Sequence, residues 1–203
     1  MHRSKDRPKL EGFEAGSWNG PEPRWRQPAT NALEIEAPAG SDRFVDPATG
    51  ARKSDSPAWL AAVAAPSTLV AHVRVGFRDT FDAGVLMAYE RTDAWAKLCF
   101  ERTPDGRRAV VSVVTRGTSD DANSWGVTDQ SVWLRVSVLP VGYAFHASSN
   151  GSDWELVRLF RLAGHRVRRV GLSAQAPTGG GCSVQFDGVA LRPGGVEDVR
   201  SGA

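Results

Sequence analysis

Along most of this chain apolar and polar residues alternate with a period of two. From Thr68 to Arg78, Leu69, Ala71, Val73, Val75 and Phe77 fall on one face, and His72, Arg74 and Arg78 on the other. Ala94–Arg102 repeats the pattern, with Ala96, Leu98 and Phe100 opposite Trp95, Lys97, Cys99 and Glu101. In Ser131–Leu139, Val132, Leu134, Val136 and Val138 oppose Trp133, Arg135 and Ser137. A period of two places alternate side chains on opposite faces of a strand, so each run predicts a β-strand with one buried face. Leu33–Ala37, Gly84–Arg91, Arg108–Thr115, Tyr143–Ser148, Glu155–Leu162, Val167–Ala176 and Cys182–Leu191 are further strand candidates.

Turn signals separate these runs. Asp105-Gly106 and Asn150-Gly151 each join two strands as a hairpin, because an Asx-Gly pair readily adopts the positive φ angles of tight turns. Asp187-Gly188 lies inside the last run and reads as a bulge. One stretch reads as a short helix, Ser56–Ala65, with Ser56 as N-cap, Pro57 in the first turn and Pro66 ending it. Roughly ten strands without regularly interleaved helices predict an all-β protein, and a sheet of that size folds over into a two-sheet antiparallel jelly-roll sandwich. Residues 1–17 read as a polar N-terminal tail, 18–193 as a single β-sandwich domain, and 194–203 as a C-terminal tail expected to fray.

Composition narrows the function. The 203 residues carry 25 basic and 23 acidic side chains, a net charge of +2 and no footprint for nucleic acid. A local basic cluster, Arg161–Arg169, reads as a solvated turn between strands. The longest apolar run, Ala58–Ala65, is too short to cross a bilayer as a helix, so no membrane partner is expected. Met1–Arg7 has charges but no apolar stretch behind it, and the expected location is cytoplasmic, with Cys99 and Cys182 reduced. The four histidines show no metal-ligand spacing, and no metal or cofactor is expected.

Several segments in a fixed order resemble a known family. They are Trp18–Trp25, Asp42-Arg43-Phe44, Phe81–Met87, Trp95–Glu101, Val113-Val114-Thr115, Trp133-Leu134-Arg135, Ser149–Trp154, Val157-Arg158, Val170-Gly171-Leu172 and Cys182–Asp187. Together they are similar to a bacterial and fungal domain family of unknown function that includes the yeast regulator of enolase, within the concanavalin A-like lectin/glucanase superfamily. The resemblance spans about residues 18–192 and implies a two-sheet jelly roll without an assigned molecular activity. The chain departs from the family pattern at Cys99, where a small residue is usual, and at Thr118–Trp125, which reads as an expanded loop.

The chemistry legible in the sequence favours binding over catalysis. Glycoside hydrolysis needs a pair of carboxyl groups flanking the scissile bond, and no strand carries two in register. There is no Gly-x-Ser-x-Gly, and Gly179-Gly180-Gly181 lacks the ending of a phosphate loop. Instead the faces opposite the apolar rows carry Trp95, Lys97 and Glu101 on one strand and Trp133 and Arg135 on another, aromatic and charged residues together. Strand parity and the family-like strand order predict that Trp95, Lys97, Trp133 and Arg135 line one concave site, with Glu101, Thr115 and Arg158 at its margin. Trp125 would close over it from the expanded loop. The expected ligand is a saccharide or another small polar molecule, ring-bearing and neutral or anionic, bound without catalysis. Two alternatives stay open: a regulatory domain whose aromatic face meets a protein partner, and an unusual glycoside hydrolase.

Overall fold

The three clearest alternating runs each form a nine-residue strand, because burying one face requires every second side chain along them to be apolar. The computed structural model describes residues 7–164 and 166–203; the basic N-terminal stretch through residue 6, and His165 of the basic cluster, lie outside them. In chain order the strands begin with β1 (Ser17–Asn19), β2 (Trp25–Arg26), β3 (Leu33–Ala37), β4 (Arg43–Val45) and β5 (Arg52–Ser54). Then come β6 (Ala58–Val63), β7 (Ser67–Val75), β8 (Ala83–Arg91), β9 (Ala94–Arg102), β10 (Arg108–Arg116) and β11 (Thr118–Gly126). The chain continues through β12 (Ser131–Leu139), β13 (Gly142–Ser148), β14 (Glu155–Phe160), β15 (Arg168–Gln175) and β16 (Cys182–Pro193).

Two seven-stranded antiparallel sheets face each other. The first has the order β1-β6-β15-β8-β9-β10-β11 and the second β14-β13-β12-β7-β16-β3-β2, while β4 and β5 form a separate ribbon. Between the sheets Leu86, Leu98, Phe100 and Val114 of the first meet Val73, Leu134, Phe145 and Phe186 of the second, all buried. The all-β sandwich read from the sequence is therefore the observed fold. The Asp105-Gly106 and Asn150-Gly151 turns fall between β9 and β10 and between β13 and β14, and the ladder between β16 and β7 shifts register after Asp187. Cys99 and Cys182 are free and buried.

Four expectations fail. Ser56–Ala65 is not a helix: Ala58–Val63 is β6, paired with β1 and β15. Trp59 and Ala61 enter the main core while Ala58 and Leu60 enter a second cluster on the far side of the sheet. A strand buried on both faces loses its alternation and mimics an apolar helix. Thr118–Gly126 is the edge strand β11 rather than a loop, and Trp125 packs against the main core instead of closing a site. The described part of the expected polar N-terminal tail, from residue 7 on, packs on the domain, with Leu10 and Phe13 buried in that core. Residues 194–203 do not fray but lie as a strap against the second sheet, where Val199 and Gly202 receive hydrogen bonds.

Candidate functional site

The first sheet is buried on both faces, and this builds the site. On its outer face Met87, Tyr89, Trp95 and Val113 form an apolar cluster against which Phe44 of the ribbon packs. A second patch, Val85, Cys99 and Val111, lies farther along the same face. The β4–β5 ribbon covers part of this layer. Its anchors are polar: Arg43 donates to Asn19 Oδ1 at 3.1 Å and to the Ser56 carbonyl at 3.2 Å. The Val45 amide donates to Ser119 Oγ at 2.9 Å, and Ser119 in turn shares a 2.8 Å hydrogen bond with Thr115.

Where the ribbon ends, a recess of about 190 Å³ opens among Asp42, Phe44, Phe81, Lys97, Glu101 and Gln175, with Val111, Val113, Asp121 and Pro177 completing its wall. Lys97 forms its floor. The ammonium is 3% exposed and donates to Gln175 Oε1 at 2.8 Å and Asp42 Oδ1 at 3.2 Å. Gln175 also donates through Nε2 to the Phe81 carbonyl, so the floor is wired to the rim. Phe81 itself is 38% exposed and sits at a φ of 68°, a left-handed conformation that costs a non-glycine residue about 1–2 kcal/mol. Its amide donates to Arg102 at 2.7 Å, and the neighbouring Asp82 carboxylate accepts from the Arg78 and Asp79 amides. Strain held in place by surrounding hydrogen bonds, with an aromatic ring left open to solvent, is common at ligand sites.

Glu101 is the unusual group. It is 9% exposed and lines the recess, yet among the described residues no hydrogen bond reaches its carboxyl. Burial pushes that carboxyl up to about 7; the Lys97 ammonium opposes the rise, and Asp42 and Asp121 add to it. Buried polar groups are nearly always hydrogen-bonded, so a carboxyl that opens on a recess without a hydrogen bond from the described residues is unusual. A wider groove of about 520 Å³ runs beside Lys9, Glu22 and Trp25. There Trp25 Nε1 already donates to Glu22, and Gln27 is tied to Lys9, so the smaller recess is the stronger candidate.

The structure brings together only part of the site expected from the sequence. Trp95, Lys97, Glu101 and Thr115 share the outer face of the first sheet. Lys97 and Glu101 line the recess, Trp95 is buried in the layer beneath, and Thr115 holds the ribbon through Ser119. Trp133 and Arg135 belong to β12 of the second sheet and face outward on the opposite side of the molecule. Trp133 stacks on His72 at 4.7 Å. Arg135 donates to the Gly202 carbonyl at 2.6 Å and lies 4.3 Å from the centre of the Trp154 ring, clamping the strap. Arg158 points between the sheets, where it reaches Asp120 Oδ1 at 3.1 Å and closes the side of the sandwich. With Arg135 elsewhere, the expected preference for a neutral or anionic ligand loses its basis: three carboxyl groups line the recess against one ammonium. Asp42, Phe44, Phe81, Asp121 and Gln175 were not among the expected site residues. The signals were there in Asp42-Arg43-Phe44, an aromatic set in a charged segment, and in Gln175, which closes the alternation of β15 with a polar side chain.

Fold and site together define a concanavalin A-like jelly-roll sandwich with a small recess beside the ribbon on one outer face. Residues 18–194 match the family described as "Protein of unknown function (DUF1349)", and the chain belongs to that family. No curated protein matches the sequence. Among solved structures, a functionally unknown protein from Saccharomyces cerevisiae superposes with a TM-score of 0.82 at 24% identity, covering 90% of this chain and 98% of that one. The GH43 protein BlXynB from Bacillus licheniformis gives 0.68 at 14% identity, over 86% of this chain and 36% of its own. A xylan beta-1,4-xylosidase from Bacillus halodurans C-125 gives 0.64 at 13%, over 95% and 40%. The chain thus spans well under half of each of these two hydrolases, and the likeness is one of fold.

Proposed function

We propose that the protein is a binding domain, without catalysis, for a small polar ligand of about one sugar ring, held in the recess over Lys97 and Glu101. The observation that carries this reading is the buried Glu101 carboxyl, which lines the recess with no hydrogen bond from the described residues. The recess is smaller than the ~300–1,000 Å³ of sites for drug-sized molecules, which suits a single ring and not an extended chain. Phe81 and Phe44 offer faces for stacking on a ring, while Glu101, Asp121 and the outer edge of Asp42 offer hydrogen-bond acceptors. A monosaccharide has both kinds of surface. The shared fold with proteins whose descriptions name xylan and GH43 adds a reason to begin with sugars.

Titration calorimetry with D-xylose, D-glucose and their disaccharides tests the proposal. Phe81→Gly removes the rim ring while accepting the positive φ, so it should weaken binding several-fold without loss of fold. Trp133→Ala, on the opposite side, should leave binding unchanged. Binding that followed Trp133 and ignored Phe81 would place the site elsewhere.

A further inference from the structure

Resting on the reading of the recess as a ligand site, we infer that its ligand is a small organic cation, an amine-bearing molecule or amino sugar, rather than a neutral or acidic one. The charge count around the cavity carries this. Asp42, Glu101 and Asp121 line it against Lys97 alone, and the Lys97 ammonium is already held by Asp42 and Gln175. Among the described residues that leaves the Glu101 and Asp121 carboxyls outside every ion pair, with Lys97 acting on Glu101 only through its field. Asp121 is exposed at the mouth and Glu101 is buried behind it, so a cation entering the recess passes one carboxyl to reach the other.

The wall fits the same ligand. Phe44 and Phe81 bring two aromatic rings to a cavity that also holds Glu101, to which none of the described residues gives a hydrogen bond. Aromatic faces attract ammonium groups through the ring quadrupole, and the attraction grows as water is excluded. An anion would meet two uncompensated carboxyls, and a neutral ligand would leave them uncompensated.

The groups facing Glu101 fix the pH behaviour. On β9 its charged neighbour is Lys97, and the Cys99 thiol between them is pushed up by burial and stays neutral; from the segment before β4 comes Asp42, and from β11 Asp121. Its strand partners, Ala83 on β8 and Ala109 on β10, are uncharged. Burial and the two aspartates favour the protonated form, so an incoming cation would favour the ionised one. Affinity for a cation should therefore rise with pH while Glu101 ionises.

The test compares four probes by calorimetry at low salt: choline, D-glucosamine, D-glucose and D-glucuronate. Choline keeps its charge at every pH and carries no sugar. The expected result is choline and glucosamine binding about tenfold more tightly than glucose at pH near 8, with glucuronate not bound. Choline affinity should rise from about pH 5.5 to 8 and fall about tenfold in Glu101→Gln. Asp121→Asn, at an exposed position, should cost about threefold and stands in if Glu101→Gln does not fold. Glucose binding as well as glucosamine, indifferent to either substitution, overturns the cation inference and leaves the sugar reading intact. Choline binding while none of the three sugars binds upholds the inference and overturns the sugar reading. Binding of none of the four overturns both.

Discussion

Lys97 Nζ lies 3.2 Å from Asp42 Oδ1, across 55 positions of sequence, and this pair joins the first sheet to the segment that leads into the ribbon. The ammonium is almost wholly buried and the carboxylate mostly so. Removing one partner of such a pair leaves an uncompensated charge in a poorly solvated place. Asp42→Asn should therefore destabilise the protein by about 3 kcal/mol in denaturant titrations, at the low end of the buried-pair range because Asp42 keeps some contact with water. The double variant Asp42→Asn with Lys97→Met should be more stable than the Asp42→Asn single variant. An additive outcome would mean that the contact contributes nothing.

Glu101 makes stability depend on pH with a sign opposite to that of most carboxylates. Its folded-state value near 7 lies above its ordinary 4.5. The folded form thus holds the proton more tightly than the unfolded chain does. The contribution is complete below about pH 4.5 and is lost as pH rises to about 7. At about 1.4 kcal/mol per pH unit the loss is about 3 kcal/mol. Measured as the difference between wild type and Glu101→Gln, stability should fall across that window, and a flat difference would show that Glu101 titrates normally.

Phe100 lies in the inter-sheet core and meets Phe77 edge-on at 5.1 Å. Phe100→Ala should cost about 3–5 kcal/mol, combining lost transfer energy with the cavity left between two rigid sheets. Thermal and chemical denaturation read it directly.

Arg135 clamps the strap and takes no part in the recess. Burial lowers its guanidinium to about 10, and its donation to Gly202 is a charged hydrogen bond worth about 1.5–3 kcal/mol. At Gly202 a Cβ would come within 2.7 Å of Trp154 and 3.0 Å of Arg135, at a φ of 78°. Arg135→Ala and Gly202→Val should each speed amide exchange in residues 194–203 while leaving ligand affinity in the recess unchanged. A parallel loss of affinity would tie the strap to the site.

These contrasts show what strand parity carries and what it does not. In β9 the division between Ala96, Leu98, Phe100 and Trp95, Lys97, Glu101 is as the alternation predicts, because period two fixes which side of its own sheet a residue takes. Parity is silent on which sheet a strand joins. The outer faces of both sheets pair a tryptophan with a cation two residues on, Trp95 with Lys97 and Trp133 with Arg135, so Arg135 and Lys97 look alike in sequence although the sandwich lies between them. That assignment depends on β12 pairing with β7 and β13, which are non-local contacts. The ribbon escaped notice for a different reason. Arg52-Lys53-Ser54 is fully exposed and carries no alternation, and Asp42 and Phe44 acquire their roles only when the ribbon lies against Met87 and Val113.

Whether a ligand binds in the recess is read residue by residue by an amide NMR titration with D-glucosamine and D-xylose. The predicted result is a set of saturable shifts confined to Phe44, Phe81, Lys97, Glu101, Asp121 and Gln175. Shifts centred instead on Trp133, Arg135 and the strap, with the recess silent, would contradict it.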